Sequence, residues 1–262
     1  RIDATGLGYE GGHQGTNAGI EGLTAPGLPP TEAGWGGSHG GVSEAGAGVY
    51  GSVRAPRLPG AGGGAGDVSL PGGSGGGAVA LVVGGRLVVD GAIAADGAST
   101  PSGGAGAGGS ILLDADRLGG TGIISARGGE RTIESGSYGN PGGGRVSVLG
   151  RLEDPAPELT AASGPSWWAT GAPGTVFLKS PSDTEGHLVV GGSISMRITN
   201  RGIKDCYFAG NTVINPGNLM IYLEDGASDC FIQNNAFGEN TTNAVRVDYG
   251  TGNIIRSNTF LG

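Results

Sequence analysis

Gly77-Ala-Val-Ala-Leu-Val-Val-Gly-Gly-Arg-Leu-Val-Val-Asp-Gly-Ala-Ile-Ala-Ala-Asp-Gly97 reads as strand, turn, strand. Its aliphatic runs are short, rich in β-branched residues and broken by glycine. With one gap it aligns with Gly109-Ser-Ile-Leu-Leu-Asp-Ala-Asp-Arg-Leu-Gly-Gly-Thr-Gly-Ile-Ile-Ser-Ala-Arg-Gly128. The closing element Ile-x-Ala-x-Gly stands at Ile93, at Ile124 and again at Ile2. A weaker third copy begins at Gly144 with Arg145-Val-Ser-Val-Leu149 and closes near Leu159-Thr160-Ala161, and a fourth opens with Gly174-Thr-Val-Phe-Leu-Lys179. Such a unit cannot bury its inner face alone, so successive copies must stack. Glycine at each corner is expected to supply positive φ.

Between the copies lie glycine-rich inserts, roughly 98–108, 129–143 and 165–173, and a long one, 7–76. A structureless loop of that length does not belong in a compact domain. Polyproline-like or turn-rich glycine packing is therefore expected there, anchored by Tyr9, Trp35 and Tyr50. Of the 60 glycines, 52 fall in residues 1–192 and only 8 in residues 193–262, so the chain has two textures.

In the second texture the period sharpens. Asp205-Cys206-Tyr207-Phe208-Ala209-Gly210-Asn211-Thr212-Val213 aligns with the stretch from Asp229 to Phe237 and then with that from Asn253 to Phe260. Asn211, Asn235 and Asn258 recur at intervals of 24 and 23 residues. A companion strand, Met196-x-Ile198, Ile221-x-Leu223 and Val245-x-Val247, recurs in step at 25 and 24. Apolar residues alternate within each strand, the pattern of a half-buried strand.

On these residues, 193–262 resembles the right-handed parallel β-helix repeats of the pectate-lyase-like superfamily, and the Asn211, Asn235 and Asn258 column resembles that family's asparagine ladder. Asparagine suits such a corner because it tolerates left-handed backbone and its amide can bond the amides above and below. Residues 1–192 resemble, more loosely, the glycine-rich repeats of large microbial surface proteins. The fold class expected is all-β: a right-handed parallel β-helix, or solenoid, with long glycine-rich inserts. The organisation expected is a first strand plus long insert (1–76), glycine-rich coils (77–192) and regular repeats of about 24 residues (193–262), continuous as one solenoid. Neither end shows a polar cap, which leads to the expectation of a segment of a longer solenoid or a subunit that stacks end to end.

Composition excludes several classes. Glycine and proline together make 74 of the 262 positions, yet collagen's every-third glycine is broken by Val79-Ala80-Leu81-Val82-Val83. At 37% hydrophobic and 15% charged, the chain is not disordered. A net charge of −8 with only two lysines, Lys179 and Lys204, argues against nucleic acid as a partner. No run reaches the length of a membrane span. Glycine strings such as Gly62-Gly63-Gly64-Ala65-Gly66 lack the Gly-Lys-Ser/Thr of a phosphate loop. The calcium-binding nonapeptide pattern is likewise missing. His13, His39 and His187 lie far apart and suggest no triad or metal set, and no cofactor is implied.

Candidate sites are few, and each has a plain structural alternative. Glu224 and Asp248 occupy equivalent positions in consecutive coils, and Asp205 and Asp229 form a second column. Stacked acids can divide acid and nucleophile roles on a glycan, but strand-end acids more often bond turn amides, and that reading is preferred. Arg197, Tyr222 and Arg246 share one outward position, a stripe that could stack on and bond an acidic sugar. Its alternative is an ordinary solvated strand face. Trp167 and Trp168, flanked by Pro165 and Pro173, are candidate glycan platforms, with core plugging as their alternative. Cys206 and Cys230 are read as stacked core thiols in preference to a disulfide. Asn240-Thr241-Thr242 is the single glycosylation-type triplet.

The function expected is therefore a non-enzymatic structural or adhesive segment of an extracellular or cell-surface protein, such as a stalk, surface layer or filament component. Its expected partners are itself, by end-to-end or lateral stacking, flanking repeats, and carbohydrate. The alternatives are a polysaccharide lyase or glycoside hydrolase, or a glycan-binding module.

Overall fold

The structure, a computed structural model, describes residues 1–43, 48–101, 103–132, 139–164, 171–183, 186–191, 195–198, 207–209, 212–214, 220–223, 231–233, 236–237, 245–247 and 254–260. Among these residues there is no helix, and every strand ladder runs parallel, which makes this an all-β chain. No helix is long and apolar enough to cross a membrane. The chain divides into two compact units, Arg1–Thr184 and Glu185–Gly262.

Eight strands build the first unit: β1 (Ile2–Asp3), β2 (Ala78–Val88), β3 (Ala92–Ala94), β4 (Ser110–Gly119), β5 (Ile123–Ser125), β6 (Arg145–Leu152), β7 (Glu158–Thr160) and β8 (Thr175–Lys179). They form two ladders, β1-β3-β5-β7 and β2-β4-β6-β8. In the first, Ile2, Ile93, Ile124 and Leu159 stand in one register column, which is the column of the closing elements in the sequence. In the second, Ala78 pairs with Ser110, Ser110 with Arg145 and Arg145 with Thr175. The alignment gap becomes a bulge. The register shifts between Val83 and Arg86 and again between Asp114 and Arg117, so that each strand drops one residue relative to the one before it. Gly84 and Gly85, a turn by sequence, therefore lie within the continuous strand β2.

The core sits between the ladders. Ile93, Ile111, Leu113, Leu118, Ile124, Val146 and Val148 are each no more than 3% exposed. Full burial of such a side chain contributes about 1.5–3 kcal/mol. Ile111, Leu112 and Leu113 are consecutive and all buried, so β4 is covered on both faces. The outer cover comes from the segment around residues 54–58. The hydroxyls of Ser110 and Ser147 donate to the carbonyls of Leu58 and Arg54 at 2.7 Å, and the Arg54 guanidinium lies 5.7 Å from the Phe177 ring centre.

The described residues of the glycine-rich stretches are held by bonds between runs. Gly60 and Gly63 donate to the carbonyls of Gly76 and Gly73, and their own carbonyls accept from Tyr9 and Gly12. The carbonyls of Ala61 and Gly64 accept from Ala107 and Gly104, while Gly62 and Ala65 donate to Leu23 and Ile20. These eight bonds measure 2.7–3.1 Å. The partner repeats every three residues, the period of a polyproline II helix, which makes no internal hydrogen bonds and points its donors and acceptors outward around its axis. The same order recurs at the start of each long strand, where Gly77, Gly109, Gly144 and Gly174 donate to the carbonyls of Ala4, Ala95, Ala126 and Ala161. The described residues of the 7–76 stretch are thus interleaved with the strands that follow them in sequence.

Close approach is what requires glycine here. A β-carbon at Gly76, Gly108 or Gly143 would overlap the carbonyl of Ala95, Ala126 or Ala161, and one at Gly63 would overlap the carbonyl of Gly104. None of these four adopts left-handed backbone. The corner glycines divide accordingly. Gly6 has the expected positive φ of 67°, but Gly97 and Gly128 do not, and they are small because the Gly106 carbonyl and the Gly164 amide press against them.

The second unit contains β9 (His187–Gly191), β10 (Ser195–Ile198), β11 (Tyr207–Ala209), β12 (Thr212–Ile214), β13 (Met220–Leu223), β14 (Phe231–Gln233), β15 (Ala236–Phe237), β16 (Val245–Val247), β17 (Ile254–Arg256) and β18 (Thr259–Phe260). Its parallel ladders are β10-β13-β16, β11-β14-β17 and β9-β12-β15-β18. Met196, Ile221 and Val245 share one register column and Ile198, Leu223 and Val247 another, the spacing of the sequence repeat. Ile232, 2% exposed, is a core residue of this unit.

Replacing Gly63, Gly104 or Gly143 by alanine is expected to cost about 3 kcal/mol or more, because rigid backbone is the obstacle. Gly91→Ala, where a β-carbon meets nothing within 4 Å, should change stability by less than about 1 kcal/mol. Urea midpoints of the four variants check this ordering.

Candidate functional site

The backbone register places Arg197, Tyr222 and Arg246 in one column of β10, β13 and β16. In a parallel ladder such residues lie about 4.8 Å apart, a spacing that suits a stack of planar side chains. Glu224 and Asp248, Asp205 and Asp229, Cys206 and Cys230, Trp167 and Trp168, and Asn211 and Asn235 lie outside the described residues. Leu223 and Val247, which immediately precede the two candidate acids, are register partners.

Asn258 is described, and its side-chain amide donates to the Ile232 carbonyl in β14 at 2.9 Å. This bond ties side chain to backbone. The left-handed residue at that corner is Ser257, φ 53°, and not the asparagine. Trp35 is half-buried with its ring against Gly139, where a β-carbon would strike the six-membered ring, so it serves as an anchor of the glycine layer. Its carbonyl accepts from Gly64.

Among the described residues of the first unit, two open grooves stand out. One, of about 480 Å³, crosses the outer face of β2, β4, β6 and β8 and is bordered by Arg54, Val82, Asp114, Leu149, Lys179 and Pro181. The other, of about 820 Å³, lies at the corner after β2 and is bordered by Arg1, Asp90, Thr121, Pro155 and Glu158. One polar side chain in each is engaged with the fold. Lys179 donates to the Asp183 carbonyl at 3.0 Å, and Asp90 accepts the Thr121 amide at 3.1 Å.

A third feature is buried. His39 is fully buried, and its Nδ1 donates to the Gly108 carbonyl at 2.8 Å. That bond fixes the tautomer and leaves Nε2 as a buried acceptor with no partner among the described residues. The His39 and Tyr50 rings are 4.7 Å apart, and the Tyr50 hydroxyl donates to the Pro59 carbonyl at 2.7 Å. Arg145, 4% exposed, donates from Nε to the Tyr50 carbonyl at 2.9 Å and from Nη1 to the Thr175 hydroxyl at 3.1 Å. Desolvation lowers the His39 pKa to about 4, a shift the Gly108 carbonyl opposes and the nearby Arg145 charge reinforces. Burial likewise lowers the Arg145 pKa and raises that of the Tyr50 phenol. The cluster joins three distant stretches of chain and acts as a clasp over the glycine layer. Its signal in the sequence is Arg145 itself, a long cation in a register column otherwise held by Ala78, Ser110 and Thr175.

No known family, characterised protein or solved structure matches the chain.

Because folding holds His39 neutral, the unfolded chain binds the extra proton first as pH falls. The stability from this site is complete above about pH 6.5 and is lost towards pH 4, in total on the order of 3 kcal/mol. His39→Asn, which keeps a donor for the Gly108 carbonyl but cannot titrate, should flatten that part of the profile. Urea denaturation of both proteins at intervals from pH 4 to 7.5 measures it.

Proposed function

We propose that this chain is a non-enzymatic structural or adhesive segment of an extracellular or cell-surface protein. We read its parallel ladders as coils of a right-handed parallel β-helix, related in architecture to the pectate-lyase-like repeats and thickened by a glycine layer. The observation that carries this reading is the three-residue hydrogen-bond lattice of the glycine runs. It commits a large share of the sequence to backbone cross-links, which resist shear along many bonds at once. The buried polar groups support the same reading, because Arg145, His39, Ser110 and Ser147 bond backbone carbonyls that tie segments together. The acidic surface and low lysine content suit a solvent-facing stalk or layer.

A second reading, a glycan-binding face, draws on the Arg197, Tyr222 and Arg246 register column. Tyrosine offers a ring for sugar stacking, and flanking guanidiniums suit a uronate carboxylate. Trp167 and Trp168 would add to such a face. An enzymatic role through Glu224 and Asp248 is the competing proposal.

One assay separates these. On a panel of uronate and neutral polysaccharides, the structural reading expects neither unsaturated products nor new reducing ends, and no difference between the native chain and Glu224→Ala. Turnover that disappears in Glu224→Ala would overturn it in favour of the enzyme. Binding without turnover, weakened at least about tenfold in Tyr222→Ala, would establish the glycan-binding face.

A further inference from the structure

Residues 48–59 lie across the outer face of β4, β6 and β8 as a strap with few bonds of its own. Among the described residues, 51–59 make no backbone-to-backbone hydrogen bond. Three side chains of the sheet hold the segment instead, at every fourth carbonyl. Arg145 Nε donates to Tyr50 at 2.9 Å, the Ser147 hydroxyl to Arg54 at 2.7 Å and the Ser110 hydroxyl to Leu58 at 2.7 Å. Gly51, Ser52, Arg54, Ala55, Arg57 and Leu58 are exposed. Beneath them Leu112, Ser147 and Phe177 share one register row and are 3%, 0% and 6% exposed. Their register partner in β2, Ala80, is exposed, so the cover stops short of that strand.

At its start the strap is seated on a buried base. The Tyr50 amide donates to the His39 carbonyl at 3.1 Å, and the Tyr50 ring lies 4.7 Å from the imidazole. His39 is fully buried with Nδ1 bonded to the Gly108 carbonyl, and Nε2 has no partner among the described residues. A β-carbon on Gly51 would lie 3.4 Å from that Nε2 and 3.7 Å from Arg145 Nε, so the exposed strap backbone packs over both.

This closed arrangement has no place for a proton on Nε2. The resulting imidazolium would carry an N–H without an acceptor. It would also face Arg145, the charged group that bears on His39 from β6. The strap brings the Tyr50 phenol, with the Tyr9 phenol near it, while its Arg54 lies against Phe177. The run before β4 brings the carbonyls of Gly108 and Gly109. Among the described residues no carboxylate stands within ion-pair distance of His39 or Arg145. Lifting Gly51 admits water to Nε2 at the loss of side-chain tethers. Freeing His39 from the opposite side would break the glycine lattice, where Gly40 and Gly41 donate to Gly143.

We propose that residues 48–59 are an acid-released strap: protonation of His39 frees the segment from the sheet and uncovers Leu112 and Phe177, while the ladders and the glycine lattice stay closed. The closed form binds the proton less tightly than the open one, so opening is favoured as pH falls. With a pKa of about 4 in the closed form and the ordinary 6.5 in the open one, the open-to-closed ratio rises on the order of 100-fold between pH 7.5 and pH 4. The inference stands on the geometry of the strap, and a lack of adhesion would leave it intact.

Hydrogen exchange at single amides of the full chain, corrected for intrinsic rates, tests it. Protection of the Tyr50 amide should fall about 100-fold from pH 7.5 to pH 4, while Gly104 and the β4 amides keep theirs. Hydroxyl-radical footprinting should show Leu112 and Phe177 becoming reactive over the same interval, and the His39 imidazole nitrogen shifts should titrate with them. His39→Asn should remove the pH dependence. Ser147→Ala, which cuts one tether, should speed Tyr50 exchange about two- to tenfold at every pH and leave the pH ratio unchanged. The inference is overturned if Tyr50 protection is the same at pH 7.5 and pH 4, or if Gly104 and the β4 amides lose protection together with it. It is also overturned if Leu112 and Phe177 stay unreactive while His39 titrates, or if His39→Asn keeps the pH dependence.

Discussion

Backbone pressed against backbone is the constraint on which the first unit depends. Where Gly63 meets Gly104, or Gly108 meets Ala126, no β-carbon fits between the chains. Residue identity in these runs therefore follows from available space, and the hydrogen bonds between runs follow from that proximity. Isolated polyproline II-type runs have no internal bonds to hold them. Packed together, they satisfy one another, and the usual demand that every buried backbone donor and acceptor find a partner is met between segments. Ordering so much glycine carries a large conformational entropy cost, which only a dense and mutually bonded lattice offsets.

Once that lattice is in place, the rest of the unit has defined surroundings. The alanines that follow β1, β3, β5 and β7 present their carbonyls to the glycine ahead of the long strands, so the lattice sets where those strands begin. The aliphatic core then fills between two ladders, and the segment around residues 54–58 covers the outer face of β4 and β6. The His39, Tyr50 and Arg145 clasp joins this cover, the lattice and the ladder at one buried point. Among the described residues its guanidinium bonds a backbone carbonyl and a hydroxyl, those of Tyr50 and Thr175.

Much of this order can be read from the sequence, for definite reasons. Strand columns such as Ile2, Ile93 and Ile124, or Met196, Ile221 and Val245, follow from residues that recur at fixed spacing, because parallel stacking turns sequence period into register. The role of the glycines could not be read in the same way. Glycine that permits a turn and glycine that permits contact are one letter, and at Gly97 and Gly128 only the neighbouring chain distinguishes them. His39 was equally opaque, since nothing adjacent in sequence foretells that Gly108 and Arg145 enclose it. For the site, the Arg197, Tyr222 and Arg246 column is legible as a position on the ladder, whereas affinity depends on the surroundings of its side chains, and a period of about 24 residues carries no information on those.

The central claim is that the glycine runs form a hydrogen-bonded lattice as protected as the strands. Native-state hydrogen exchange resolved at single amides tests it most directly. The account predicts that Gly63, Gly73, Gly76, Gly104 and Gly144 exchange as slowly as amides within β4, through opening of the unit as a whole. Exchange of these glycine amides at rates close to those of an unstructured chain, while β4 remains protected, would contradict it.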